Sequence, residues 1–236
     1  MSTDRVTAAV DDILSRIHSG EFGTGHSLPP EAELAALLDV SRPTMREAVR
    51  SLSTRGVLTV VHGRGTFVNP VRSWTDLPTM ISALERTESP RQIGLQLIEL
   101  RRMIEVGACG LAARNRTDED LSALRGHLET FSSAEEAGDI AGVAQADMDF
   151  HSAILAASSN PFLPTIMLPL QDALSSSRRR TSENPEIRGR ASYHHRAILA
   201  AIEAGDESRA KDAMRAHMTQ TRNDIANHLS DQALGA

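Results

Sequence analysis

Residues 28–68 read L-P-P-E-A-E-L-A-A-L-L-D-V-S-R-P-T-M-R-E-A-V-R-S-L-S-T-R-G-V-L-T-V-V-H-G-R-G-T-F-V, and two periodicities inside them decide the fold of this end of the chain. Over 30–38, Leu34, Leu37 and Leu38 fall at the i, i+3, i+4 spacing of one apolar helix face. Asp39 and Val40 make a turn. Ser41 is an N-cap and Pro43 sits in a first turn, where a missing N–H costs nothing, so a second helix runs on to about residue 55 with Met45, Val49 and Leu52 facing one way. After Gly56, the β-branched run 57–61, the turn His62-Gly63-Arg64-Gly65 and the return over 66–68 spell a strand hairpin. Helix, turn, helix and hairpin together are a winged helix-turn-helix.

Charge follows the same plan. Arg42, Arg46 and Arg50 repeat every four residues and form a positive stripe away from the apolar face. Between 42 and 64 there are five arginines (42, 46, 50, 55, 64) against one acid, Glu47, in a chain whose net charge is −6, so the surplus is local. Glycines let the hairpin backbone approach a phosphate or enter a minor groove, with His62 and Arg64 as donors. Aromatic residues make up only 3% of the chain, too few for the stacking platforms that single strands and RNA require, which leaves double-stranded DNA as the expected partner. One recognition helix has a small footprint, so a homodimer on a short palindromic operator is expected.

Residues from about 5 to 69 resemble the DNA-binding domain of the GntR family of bacterial transcription regulators. The shared pattern is L-P-x-E-x-x-L-A, then V-S-R-x-T-x-R-E-A-x-x-x-L, then a G-x-G-T-F-V wing. The resemblance implies that Arg42, Thr44 and Arg46 contact DNA from the recognition helix and His62 and Gly63 from the wing tip; Arg50 and Arg64 extend the same surface. Many members carry Arg between the two glutamates where this chain has Ala32, which implies a missing contact and an altered operator preference.

At 236 residues the chain has room for two modest domains. Its single cysteine, Cys109, lies in an Ala/Gly/Leu-rich stretch, excludes an intramolecular disulfide and reads as a buried small hydrophobe in a reducing compartment. Asp4, Arg5, Asp11 and Asp12 interrupt the N-terminus, so it reads as neither signal peptide nor anchor, and no run of eighteen apolar residues occurs, so no membrane association is expected. A cytoplasmic location is the expectation. Lys211 is the lone lysine, a preference for arginine taken as codon bias.

Past Asn69-Pro70 the pattern becomes Ala/Leu-rich and helical throughout. Helices are expected over 75–87, 91–115, 118–137, 139–158, 162–181, 185–204 and 206–229, punctuated by Thr117-Asp118, Gly138-Asp139, Asn160-Pro161, Asn184-Pro185 and Gly205-Asp206. Seven helices with short links imply an antiparallel all-α bundle. The fold class is therefore mainly α. The expected division is a winged helix-turn-helix domain at 1–70, a linker and first connecting helix at 71–90, an effector-binding and dimerisation domain at 91–230, and a tail at 231–236.

Four side chains of the bundle read as a divalent metal site. Asp147 and His151 are four apart on the face that also carries Ala144, Met148, Ile154 and Leu155. Of His194 and His195, the second shares its side of the helical wheel with Ala191, Ile198, Leu199 and Ile202 and is the inward one. His217 shares a stripe with Ala210, Ala213, Met214 and Thr221, while His228 falls near a frayed end, outside the site. Three imidazoles and a carboxylate suit Zn²⁺, Ni²⁺ or Mn²⁺. The plain alternative is that each histidine is a hydrogen-bonded core residue.

The segments E-L-R-R-M-I-E (from Glu99), D-x-x-F-H (from Asp147), S-x-N-P-F-L (from Ser158), H-R-A-I-L-A-A-I-E-A-G-D (from His195) and A-M-x-x-H (from Ala213) resemble the FCD effector domain of the FadR subfamily within GntR. That resemblance implies a divalent metal on Asp147, His151, His195 and His217, with a small organic acid docked beside it. The Arg of the E-x-R segment matches Arg101, which shares a face with Ile104, Ala108 and Ala112 whereas Arg102 points out. Arg101 is read either as a carboxylate clamp or as the i,i+4 partner of Glu105. Asn160 of the S-x-N-P-F-L segment joins Arg101 as a candidate ligand-binding residue. The leading function is a metabolite-responsive DNA-binding regulator, most often a repressor. A metal-responsive regulator is the second reading and a metal-dependent hydrolase with a DNA-binding appendage the third, against which stands the lack of a placed general base such as H-E-x-x-H.

Overall fold

The computed structural model describes residues 2–232, so residues 233–236 of the expected tail lie outside the described residues. Residues up to Thr87 and residues from Glu88 onward form two compact units, each with its own core.

The N-terminal unit opens with a helix that the sequence reading left undrawn, α1 (Ser2–His18), which buries Ala9, Val10 and Ile13 on one face. α2 (Glu31–Leu37) starts after Pro30 with Glu31 and Glu33 in its first turn, where carboxylates suit the helix dipole. Its inward residues are Leu34 and Ala35; Leu37 is 51% exposed, against expectation. The reason is length: two turns of helix offer α3 a narrow contact stripe, and Leu37 falls outside it. Asp39 turns the chain in the left-handed region at φ 50°. α3 (Arg42–Thr54) is capped at Ser41, whose Oγ accepts from the Thr44 N–H at 3.2 Å, and buries Met45, Ala48, Val49 and Leu52.

Gly56 then takes φ +72°, and a Cβ there would lie 3.0 Å from both Ser73 O and Thr75 N, so only glycine fits. β1 (Leu58–Val61) and β2 (Gly65–Val68) pair antiparallel, Leu58 opposite Val68 and Val61 opposite Gly65. β2 also has a neighbour on its other edge: Ser27 bridges Phe67, the Gly25 and Leu28 N–H groups donate to Val68 O and Thr66 O at 2.8 and 2.7 Å, and the Val68 N–H donates to His26 O at 3.2 Å. The segment expected as linker and connecting helix is a 3-10 turn at Val71–Ser73 followed by α4 (Leu77–Leu84), shorter than the 75–87 expected. Asp76 caps α4 by accepting from the Thr79 N–H at 3.0 Å, and Met80 and Ala83 pack on the core built around Ile13, Leu34, Met45, Leu52 and Leu58.

In the C-terminal unit, α5 (Pro90–Asn115) and α6 (Asp118–Ala137) both start with capping boxes, Ser89 with Gln92 and Thr117 with Asp120. α6 ends on Gly138, left-handed at φ 69°. α7 (Ile140–Ala157), α10 (Pro185–Glu203) and α11 (Glu207–His228) are capped by Asp139, Asn184 and Asp206. The single helix expected over 162–181 is instead α8 (Phe162–Met167), a 3-10 turn (Leu168–Leu170) and α9 (Gln171–Ser182). Pro169 is the cause, because it lacks an N–H to donate and its ring collides with the carbonyl one turn back. The described residues of this unit thus hold seven α-helices, one gained at that break and one lost because α4 packs with the N-terminal core.

α5 and α11 run antiparallel, pinned at one end by Arg91 and Asp231 at 2.5 Å and at the other by Arg114 and Glu207 at 3.9 Å. The core is filled by Cys109, Leu124, Phe150, Ile154, Ile198, Ile202, Met214 and Met218. Burial, with Glu105 nearby, pushes the Cys109 thiol up to about 12, so it stays a neutral, small hydrophobe. No helix among the described residues is long and apolar enough to cross a membrane.

Candidate functional site

Two surfaces carry the candidate residues, one in each unit. On α3, Arg42, Arg46 and Arg50 project outward, the last two with 75% and 78% of their side chains exposed. Arg46 Nε lies 3.6 Å from Glu31 Oε2 and Arg50 Nη1 lies 4.0 Å from Glu47 Oε1. Such exposed pairs are worth about 0–1 kcal/mol, so either guanidinium can exchange its carboxylate for a phosphate or a base edge. Thr44 is half-buried, with its Oγ1 2.8 Å from Ser41 Oγ at the start of the helix. At the wing tip His62, Gly63 and Arg64 are all exposed, and the Arg64 N–H closes the turn by donating to Val61 O at 3.0 Å. Gly63, at φ +71°, supplies the positive φ that this turn needs in its third position. Ala32 is exposed on α2, beside the Glu31 that reaches Arg46.

Inside the bundle, α7 brings Asp147 and His151, α10 brings His195 and α11 brings His217 to one buried cluster. The three histidines each offer a ring nitrogen within 4.8 Å of the others. His217 Nε2 stands 3.3 Å from His151 Nε2, and Asp147 Oδ1 stands 3.3 Å from His195 Nε2 and 4.0 Å from His151 Nε2. His195 is 0% exposed between Phe131 and Phe150; its Nδ1, like His217 Nδ1, finds no hydrogen-bond partner among the described residues, and its Nε2 has Asp147 Oδ1 beside it without hydrogen-bond geometry. The neighbouring His194 stays half-buried on the flank, and His228 is exposed at the end of α11.

Two further side chains complete the cluster, and the sequence reading missed both as members of it. Glu105 on α5 holds His151 Nδ1 at 2.6 Å with Oε2, and its Oε1 accepts from Arg101 Nε at 2.6 Å. Arg178 on α9 pairs with Asp147 Oδ2. Glu105 was visible only as the i+4 neighbour of Arg101. Arg178 had a signal in the i+4 series Leu170, Leu174, Arg178, all three buried, while the adjacent Arg179 is exposed.

Burial opposes charge at every one of these groups, and the result is sorted by neighbours. Burial, with Arg178, His151 and Arg101 adding to it, drives His195 down to about 3 despite Asp147. Burial takes His217 well below the ordinary value and His151 below it as well. For Asp147 burial works the other way, but Arg178, His151 and His195 outweigh it and hold the carboxyl at about 2. Glu105 is held far below the usual carboxylate range by Arg101 and His151, again against burial. At neutral pH the cluster therefore holds three neutral imidazoles, two carboxylates and two guanidiniums, the last being Arg101 and Arg178, whose charges cancel those of Glu105 and Asp147. Neutral imidazole nitrogen with carboxylate oxygen is the donor set of a Zn²⁺, Ni²⁺ or Mn²⁺ site, and a fully buried His195 whose Nε2 lies beside Asp147 Oδ1 without hydrogen-bond geometry fits such an ion.

Arg101 is buried and Arg102 exposed, the latter donating to Thr219 Oγ1 at 3.0 Å. Of the two readings of Arg101, the described structure contains the ion pair with Glu105. A cavity of about 210 Å³ opens beside His151, walled by Glu105 and Arg178 among others, and Arg101 does not line it. A smaller one of about 40 Å³ touches Arg101, Asp147, Arg178 and His217. Asn160 is not brought to the cluster or to the larger cavity: its Oδ1 accepts from the Phe162 N–H at 3.1 Å, and its own N–H donates to Ser158 Oγ at 3.2 Å, which builds the turn into α8.

Residues 5–68 match the bacterial regulatory proteins of the gntR family, and residues 96–220 match the FCD domain. The chain is 29% identical over 222 residues to the HTH-type transcriptional regulator LutR of Bacillus subtilis, covering 91% of this chain and 98% of that one. It is 30% identical over 211 residues to the HTH-type transcriptional repressor NanR of Klebsiella aerogenes, covering 88% of this chain and 80% of NanR. Among solved structures it resembles a GntR protein of Streptococcus agalactiae, 32% identical with a TM-score of 0.53, over 92% of this chain and 99% of that one. Both curated relatives are named as transcription regulators, not enzymes.

Proposed function

Because the chain belongs to the gntR family of bacterial transcription regulators and carries an FCD effector domain, we propose that it is a metabolite-responsive DNA-binding regulator governed by a divalent metal and a small carboxylate. Arg42, Thr44, Arg46 and Arg50 on α3, with His62, Gly63 and Arg64 at the wing tip, meet the operator. Two copies of the chain read a short palindrome, each placing one recognition helix in a major groove. Ala32, where many family members carry Arg, removes one cation from that surface and shifts operator preference. The cytoplasm, where the DNA is, is the place of action. The name of NanR as a repressor supports repression as the output.

Asp147, His151, His195 and His217 would hold the metal, Zn²⁺, Ni²⁺ or Mn²⁺. The observation that carries this reading is the gathering of His195, fully buried with Nδ1 unpartnered and Nε2 3.3 Å from Asp147 Oδ1, with His151 and His217 in one cluster of donors. An unsatisfied buried polar group costs about 1–3 kcal/mol, and a ligand that removes that cost from several groups at once explains why they are gathered. When bound, the ion supplies a concentrated positive charge in a low-dielectric pocket. The four charged side chains around it already cancel, so its charge is left for an anion to meet. Elemental analysis of the purified protein tests the metal, with about one divalent ion per chain expected. Operator titration with and without chelator tests the coupling; unchanged operator affinity and no bound ion would leave the cluster a set of core polar groups.

A further inference from the structure

Arg178 reaches the cluster from α9 with part of its guanidinium engaged. Its Nε is held by Asp147, its Nη1 stands against the Met148 thioether, a weak acceptor, and its Nη2 has no hydrogen-bond partner among the described residues. The side chain is 8% exposed and lines the cavity of about 210 Å³ beside His151. A buried guanidinium at a cavity wall, with one nitrogen on a thioether and another unpartnered, is a seat for a carboxylate, whose two oxygens match its fork.

The remainder of that cavity is mostly apolar surface, with Glu105, His151, Ser152, Thr165 and Gln171 as its other polar side chains. Met148, Leu155, Met167, Leu168 and Leu174 wall it, and among its lining residues Arg178 is the one cation. Building on the effector reading above, we propose that the effector is a small monocarboxylic acid with a hydrocarbon body, its carboxylate on the Nη1–Nη2 edge of Arg178 and its body among those five side chains.

Two competing chemistries fit less well. A sugar acid would bring several hydroxyls, for which the lining offers Ser152, Thr165 and Gln171, and Thr165 Oγ1 already donates to Pro161 O at 3.1 Å. Each unmet hydroxyl would lose its hydrogen bonds to water without replacement. Among the side chains of the lining, the second carboxylate of a dicarboxylate would find no cation besides Arg178 and would face Glu105. Size agrees with a small acid, since cavities for drug-sized ligands run to roughly 300–1,000 Å³.

The test is a thermal-shift titration of the full chain loaded with Zn²⁺, using propanoate, butanoate, pentanoate and benzoate against gluconate, tartrate and succinate. The alkanoates should bind about fourfold tighter per added methylene until the cavity is full, with gluconate, tartrate and succinate inert. Arg178→Lys, which keeps the charge and loses the fork, should weaken butanoate at least tenfold. Leu168→Asn, at a side chain that is 60% exposed and therefore tolerant, should weaken pentanoate more than propanoate. Shifts produced by gluconate or succinate but by no alkanoate would overturn the hydrocarbon-body assignment and leave a small-acid effector standing. Shifts from none of the seven would overturn both. Unaltered alkanoate affinity in both variants would remove the acid from this cavity.

Discussion

Glu105 Oε2 lies 2.6 Å from His151 Nδ1, and the same carboxylate takes Arg101 on its other oxygen. That arrangement selects a tautomer. With Nδ1 turned to a carboxylate, the proton of the neutral ring belongs on Nδ1 and the lone pair on Nε2, the atom that faces His217 at 3.3 Å. Arg101 in turn keeps Glu105 ionised, so a guanidinium acts on the cluster through two intermediaries.

Glu105→Gln should therefore weaken metal binding about 10- to 100-fold while leaving all four proposed ligands in place. Competition with a chromophoric chelator measures it. Affinity equal to the parent would mean that the carboxylate only neutralises Arg101.

Metal removal should soften the effector domain. His217→Ala and His151→Ala are each expected to lose the ion, and chelator should lower the melting temperature of the parent while leaving the metal-free variants unmoved. Calorimetry with and without added Zn²⁺ decides the point.

Acid and metal should report on each other. Since the buried side-chain charges cancel, an acid entering the metal-free domain adds an uncompensated negative charge, whereas in the loaded domain it meets the ion's positive one. Butanoate is expected to shift the melting point only of the loaded protein and, reciprocally, to tighten metal binding by the same factor. Equal shifts with and without metal would separate the two sites.

On the DNA side, Arg46→Ala should cost about 1–3 kcal/mol if the side chain reads a guanine, and Arg5→Ala, on α1 away from the recognition helix, far less. Replacing a phosphate contact such as Arg50 should lower the slope of log affinity against log salt by about one. Fluorescence anisotropy across a salt series distinguishes these cases, and an Arg46→Ala protein that binds like the parent would sink the assignment of α3.

His18 offers a pH readout within the N-terminal unit. Its ring centroid lies 6.4 Å from that of Trp74, the chain's single tryptophan, and burial, then Arg86, lowers its pKa below the ordinary value of 6.5. The folded state thus prefers the neutral ring more than the unfolded chain does. That stability is fully present above pH 6.5 and is lost as pH falls through the depressed folded value. Trp74 emission should be quenched by the protonated imidazole with a midpoint below 6.5, and His18→Gln should flatten the curve.

Much of this was legible from residue spacing. Ser41, Pro43 and the Met45, Val49, Leu52 series placed α3 because capping and periodicity are local. Asp147, His151, His195 and His217 declared themselves by sharing faces with apolar neighbours, and the structure brings those faces together. What escaped was decided between elements. Leu37 could be placed inside or outside only once the narrow contact of α2 with α3 was fixed. Arg178 sits in a run of three arginines, where the i+4 series from Leu170 and Leu174 is a weak signal, and packing of α9 against α7 is what buries it and leaves Arg179 exposed. Asn160 has the residue type of a ligand-binding group, yet its amide oxygen is taken up by the backbone of its own turn.

The strand-like segment at 25–28 gives β2 partners along both edges, although β1 and β2 are only four residues each. A free hairpin of that length would be marginal in water and would have to order itself on the DNA. Here the ordering entropy is spent when the domain folds, so operator association should proceed without a large heat-capacity change from coupled folding, and the wing acts as a rigid calliper with its tip already set.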